Sequence, residues 1–262
     1  VCDNKPFISM LTRLVIKVGT NVLTRPDGRL DITNISRLVD EIAELKSKGV
    51  QLILISSGAV GAGRELFPAA DRLHEVARRQ MLSAIGQVRL MEMYRQLFAG
   101  HELLCAQVLA TKSDFRDDQH RTNMLACFQA LLHDQIVPVV NENDVVAVSE
   151  LMFTDNDELA GLVAQMLKAD ALIILSSVDG LLDGSPDDAN SKVIPHVKAN
   201  DQAALAFIAP SKSSFGRGGM GTKLRMAQET AQSGIKVYLG HGRKPGLITG
   251  LLHGIWEGTI IE

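Results

Sequence analysis

Leu14-Val15-Ile16-Lys17-Val18-Gly19-Thr20-Asn21 sets the architecture: an apolar, β-branched run that breaks at a glycine turn. The pattern recurs at Gln51-Leu52-Ile53-Leu54-Ile55, which runs into Ser56-Ser57-Gly58. Between the two, Ile35, Leu38, Ile42 and Leu45 fall on one face of a helix that Gly49 stops. Further apolar runs at 103–109, 136–140, 171–175 and 235–239 read as buried strands, and helical stretches cover roughly 73–98 and 123–133. Continuous apolar strands alternating with helices predict an α/β fold with a mainly parallel sheet, helices on both faces and right-handed crossovers. A small hairpin is expected at 145–153, at the edge of that sheet. In such folds ligands sit at the carboxyl ends of the strands, where the glycine and Asn/Asp segments of this chain fall.

At 262 residues the length suits one α/β domain, assigned here to 11–262, with 1–10 an N-terminal extension. Apolar residues make up 46% and charged residues 22%, enough for a core on both faces of a sheet. The net charge of −3 and the scattered basic residues give no surface for nucleic acid. Cys2, Cys105 and Cys127 are odd in number and lack CxxC spacing. A disulfide framework and a zinc site are therefore not expected, and a reducing cytoplasm is. No apolar run approaches the ~18 residues of a membrane helix, so no membrane partner is expected.

The chemistry lies in the segments between these elements. Gly216-Arg217-Gly218-Gly219-Met220-Gly221 matches the dinucleotide string GxGxxG, but no strand precedes it and no acid follows at the required distance. Thr222-Lys223 also reverses the Lys-Ser/Thr order of a Walker A loop. What remains is a glycine loop feeding a helix from about Thr222 to Ser233, whose free N–H groups favour an anion. The bland account is a flexible connector with a surface lysine. Lys17 lies in a comparable glycine segment, and two such segments with acidic clusters between them suggest a grip on polyphosphate from both sides, hence phosphoryl transfer. Ser56-Ser57-Gly58-Ala59-Val60-Gly61-Ala62-Gly63-Arg64 would let a ligand reach backbone N–H groups and the Ser57 hydroxyl, although taken alone the segment is better explained by tight helix–sheet packing. Asn141-Glu142-Asn143-Asp144 follows a strand, and Asp155-Asn156-Asp157-Glu158 opens a helix that Asp155 or Asn156 could cap. These carboxylates suit binding an ammonium group, orienting the lysines, or holding magnesium through water; no protein metal site is assigned. The seven histidines fall outside all of these segments. An acceptor that is already an anion, such as a carboxylate, needs no general base.

Lys17-Val-Gly-Thr, Ser-Ser-Gly-Ala-Val-Gly-Ala-Gly-Arg64, Val-Asn-Glu-Asn-Asp144, Asp-Asn-Asp157 and Gly-Gly-Met-Gly-Thr-Lys223 resemble, in order, the glutamate 5-kinases of the amino-acid kinase superfamily. The resemblance runs from about Leu11 to Glu262. It implies a three-layer αβα sandwich that moves the γ-phosphoryl of ATP, with Mg2+ carried by the nucleotide, onto the side-chain carboxylate of L-glutamate, the first step of proline biosynthesis. It also implies that Lys17 and Lys223 flank the transferring phosphoryl and that Asp157 orients both. Ser57, Asp144 and Asn156 would hold glutamate. Ser176, Ser177 and the loop Arg217, Gly218, Gly219, Met220, Gly221, Thr222 and Lys223 would line the nucleotide. A homo-oligomer, dimer or tetramer, and proline as feedback inhibitor are further family expectations. Two departures touch the nucleotide side: Ser176-Ser177 replaces the usual Thr-Asp, and Arg217-Gly218-Gly219 the usual Thr-Gly-Gly. The carboxyl-terminal RNA-binding-like module of many relatives is not seen. The alternatives are the kinase portion of a pyrroline-5-carboxylate synthase and a catalytically weak amino-acid sensor.

Overall fold

The computed structural model describes residues 11–68, 73–147, 153, 155–185, 188, 190–204 and 219–262. The expected extension at 1–10, most of the expected hairpin at 145–153, and both Arg217 and Gly218 lie outside the described residues.

The strands are β1 (Arg13–Val18), β2 (Gln51–Ile55), β3 (Cys105–Ala110), β4 (Val137–Glu142), β5 (Ala171–Ser176), β6 (His196–Val197), β7 (Lys236–His241) and β8 (Gly258–Ile261). They form one sheet in the order β3-β4-β2-β1-β5-β7-β8-β6. Among its ladders only β7–β8 is antiparallel. The helices are α1 (Thr20–Leu23), α2 (Ile32–Ser47), α3 (Ala59–Leu66), α4 (Glu75–Ala99), α5 (Asp118–His133), α6 (Asn156–Leu167), α7 (Met220–Gln232) and α8 (Leu247–Gly250). They cover both faces of the sheet, giving a three-layer αβα sandwich.

The period-2 pleat divides each strand between two cores. Leu14, Ile16 and Val18 of β1 pack with Ile35, Leu38, Ile42 and Leu45 of α2 and with Leu90 of α4. Val15 points the other way, into a second core with Leu159, Ala160 and Val163 of α6 and Leu224 of α7. Lys17 therefore emerges on the α6–α7 face, at the carboxyl end of the central strand. Burying so much Leu, Ile and Val on two faces is what holds the central strands; each fully covered side chain contributes roughly 1.5–3 kcal/mol.

Three elements differ from the expectation. The 103–109 run is the edge strand β3, not a buried one: Leu104 is 70% exposed and Leu109 38%. α5 starts at Asp118, five residues before the helix read at 123, because Asp117 caps it by accepting from the His120 N–H at 2.8 Å. The Ser56–Arg64 segment contains the helix α3, entered through Gly58 at φ 97°, a left-handed conformation that favours glycine. α3 crosses α4 backbone to backbone. A Cβ on Gly63 would lie 1.9 Å from the Leu82 carbonyl oxygen, and one on Gly86 1.7 Å from that of Ala59. Glycine is thus required on both helices, and this pair forms one wall of the cleft described next.

Candidate active site

β1, β2, β4 and β5 end at a common cleft of about 370 Å³, lined by Lys17, Ser57, Asp144, Asn156, Ser176, Ser177 and Lys223 among others. Of the residues assigned to the nucleotide, Met220, Gly221 and Thr222 open α7, with Gly219 as its N-cap, and do not themselves line the cleft.

At the base of the cleft, the sheet and two helices converge on one carboxylate. Lys17 Nζ of β1 lies 2.5 Å from Asp157 Oδ1, and Lys223 Nζ of α7 lies 2.5 Å from Asp157 Oδ2. Asp157 sits in the first turn of α6 and is fully buried, while the two lysine side chains are 5% and 17% exposed. Asp157 is not the helix cap: Asp155 is, its Oδ1 accepting from the N–H groups of Asp157 and Glu158 at 2.9 and 3.2 Å. Burial opposes ionisation of Asp157, but the two ammonium groups overcome it and lower its pKa to about 2. Burial lowers the Lys17 pKa, an effect reinforced by Lys223 and only partly offset by Asp157. Burial works the same way on Lys223, yet Asp157 and Asp155 together raise its pKa. Two cations share one buried anion, so the triad itself carries a net positive charge at the cleft. That is a site for an anion.

Asp155 is held differently. Burial and the neighbouring Asp157 raise its pKa to about 6. Its second oxygen, Oδ2, is buried without a hydrogen-bond partner among the described residues.

The opposite wall is built on Asn156, Ser57 and Asp144. Asn156 Nδ2 is within 2.9 Å of the Ser56 carbonyl and 3.0 Å of both Ser57 Oγ and Asn141 Oδ1. With its amide nitrogen committed there, Asn156 ties the ends of β2 and β4 together and leaves the Ser57 hydroxyl proton free to be donated. Asp144 is buried, and its Oδ2 accepts from Ser83 Oγ at 2.8 Å. Its Oδ1 accepts from Arg79 Nε at 3.0 Å and from the same guanidinium's Nη2. Nη2 also reaches Glu142 Oε2 at 3.1 Å. Glu142 accepts from the Phe153 N–H at 2.8 Å, yet burial, with Asp144 adding repulsion, raises its pKa to about 7. Arg79 and Ser83 come from α4 and were not identified from sequence. Their signal was weak: a polar pair four apart, on one helix face, inside a mixed-polarity helix.

Known proteins resemble this chain in both sequence and shape. The profile of the Amino acid kinase family matches residues 12–241. The glutamate 5-kinase of Bacteroides thetaiotaomicron is 48% identical over 241 residues, covering 92% of this chain and 67% of that protein. The glutamate 5-kinase of Clostridium acetobutylicum is 38% identical over 255 residues, covering 97% and 96%. In shape, the chain is similar to carbamate kinase from Giardia lamblia bound to AMP-PNP, with TM-score 0.69 at 21% identity over 97% of this chain and 99% of that one. An isopentenyl phosphate kinase from T. acidophilum also has TM-score 0.69, at 16% identity over 96% and 100%. This chain belongs to the amino acid kinase family, among its glutamate 5-kinases.

Proposed function

We propose that the protein transfers the γ-phosphoryl group of ATP to the side-chain carboxylate of L-glutamate, forming glutamyl 5-phosphate in the first step of proline biosynthesis. The observation that carries this reading is the Lys17–Asp157–Lys223 triad at the centre of the cleft. A carboxylate oxygen attacks the γ-phosphorus, the bond to the β–γ bridging oxygen breaks, and ADP leaves. No proton moves, which fits a site with no histidine among its described lining residues. The barrier is the meeting of two anions, and an ammonium on either side of the transferring group neutralises the charge gathering on its equatorial oxygens. Asp157 acts through the lysines, fixing both without touching substrate.

Asp144 faces the substrate ammonium, with the Ser57 hydroxyl and the Asn156 carbonyl oxygen completing the acceptor side. Ser176, Ser177 and Lys223 form the nucleotide side. Among the described residues no cluster of three or more His, Cys, Asp or Glu is arranged to hold a metal. Magnesium would arrive with the nucleotide and neutralise phosphate charge, and Asp155 Oδ2, without a hydrogen-bond partner among the described residues, is the protein atom that fits it. Proline shares the ammonium and α-carboxylate of glutamate, so a feedback inhibitor would compete at this same wall. The exposed Leu109 of edge strand β3 and Leu104 just before it support a homo-oligomer.

A coupled ADP-release assay tests the reaction. Turnover is expected with L-glutamate, and far less with aspartate or N-acetylglutamate. Equal rates with and without glutamate would rule the assignment out.

A further inference from the structure

Arg79 has a place in the cleft that the phosphoryl-transfer chemistry leaves unused. It stands in the first turns of α4 and lines the same pocket as Ser57, Asp144 and Asn156. Its Nε and Nη2 are spent on Asp144 and Glu142. Its Nη1, with two N–H groups, makes no hydrogen bond among the described residues, and the side chain is 29% exposed. The pocket thus presents a guanidinium and a carboxylate in contact with each other, held by Ser83 from behind.

An α-amino acid head group is the mirror of that pair: an ammonium and a carboxylate on one carbon. A ligand of this kind can be read only where a fixed anion and a fixed cation stand side by side. Lys17 and Lys223 do not meet the requirement, because both are committed to Asp157. Arg64 also lines the cleft but makes no contact with Asp144. A guanidinium also outranks an ammonium for this task, since its planar fork matches a carboxylate and is already oriented by two bonds.

We propose that Arg79 determines acceptor specificity, binding the α-carboxylate of the substrate through Nη1 while Asp144, which it braces, binds the α-ammonium. This rests on glutamate being the acceptor. It adds a discrimination that Asp144 alone cannot make: amines without the neighbouring carboxylate are refused. In the free protein the Asp144 bonds hold the guanidinium ready, so little side-chain ordering remains when substrate enters.

The test is a cycle between residue and substrate. The wild type and Arg79→Gln are each assayed with L-glutamate and with L-isoglutamine, whose α-carboxamide keeps the size and removes the charge. The wild type should favour glutamate in kcat/KM by roughly 10- to 100-fold, the scale of charge-assisted hydrogen bonds to one group. In Arg79→Gln that preference should shrink to a few-fold, mainly through a higher KM for glutamate. An undiminished preference in Arg79→Gln overturns the proposal, as does loss of the preference in Arg64→Gln instead. Because Arg79→Gln leaves Asp144 and Glu142 without their cation and can lose the fold, a crystal structure of the wild type with glutamate decides independently. A guanidinium on the substrate α-carboxylate supports the assignment; an α-carboxylate held elsewhere ends it. Absence of any glutamate turnover in the wild type overturns both readings, whereas turnover with an Arg79-independent preference overturns this one alone.

Discussion

Replacing Asp157 by Asn keeps the shape of the side chain and removes the charge that two buried lysines share. Asp157 is fully buried and each of its oxygens lies 2.5 Å from an ammonium nitrogen. Removing one partner of a buried ion pair costs about 3–5 kcal/mol, because the remaining charge is stranded. Here two charges are stranded, and they repel. At about 2–4 °C per kcal/mol for a chain of this size, Asp157→Asn should melt on the order of 10 °C below the wild type near pH 7. The loss has a ceiling, since burial already lowers the Lys17 pKa from its ordinary value and loss of that proton would relieve the repulsion. A base whose folded pKa is depressed gains folded-state stability as pH rises toward its unfolded value. The gap to the wild type should therefore narrow between pH 7 and 10. Lys223→Met leaves Lys17 and Asp157 as a neutral pair. It should melt close to the wild type while kcat falls by roughly 10²–10³, the scale of one preorganised donor. In the double variant the repulsion is gone, so it should be more stable than Asp157→Asn alone, and its activation barrier should rise by less than the two single losses combined. Calorimetric or denaturant melts across pH, with steady-state kinetics on the three variants, check every part. An Asp157→Asn protein within about 1 kcal/mol of the wild type, or normal turnover in Lys223→Met, would refute the shared-anion mechanism.

Asp155→Asn should act in the opposite direction. Its folded pKa is raised from 3.8 to about 6, so ionised Asp155 costs stability that is fully present only below pH 4 and lost as pH climbs through 6. The variant, which keeps the capping oxygen, should outlast the wild type in melts at pH 8 by up to about 3 kcal/mol, with the advantage fading toward pH 4; a constant difference across that range contradicts the assignment. Gly86→Ala should cost about 3 kcal/mol in denaturant melts, because its Cβ would collide with the Ala59 carbonyl, and a neutral result would mean that α3 and α4 can separate. Ser177→Asp should shift the KM for ATP or the ATP/GTP ratio and leave the preference for glutamate over aspartate alone; if neither nucleotide parameter moves, Ser177 does not face the nucleotide.

The strands were legible where they are buried on both faces, because a continuous apolar run has few other uses. Lys17 could be placed at the end of β1, but that its side chain meets α6 and not α2 follows only from the pleat and the layering. β3 looked like its neighbours in sequence, yet its position at the sheet edge comes from strand order, which local pattern does not encode. α3 was hidden because Gly61, Ala62 and Gly63 give no apolar period; the missing side chain of Gly63 serves the crossing with α4. Asp157 and its cluster were visible as an acidic group, though which carboxylate caps the helix and which bonds the lysines required coordinates. Arg79 was missed for a similar reason. Its partner Asp144 lies 65 positions away, and an arginine in an amphipathic helix looks like solvent-facing charge.

The backbone contact between Gly63 and the Leu82–Gly86 turn gives α4 a fulcrum. The helix has 25 residues, which at 1.5 Å each makes a rod of about 37 Å. Arg79 stands about 10 Å along the rod from Gly86, and Ala99 about 20 Å on the other side. Beyond that contact Leu90, Met93, Tyr94 and Phe98 are buried in the core, so the rod is anchored on the side away from Arg79. One continuous helix thus ties the guanidinium that braces Asp144 to the hydrophobic core under the sheet.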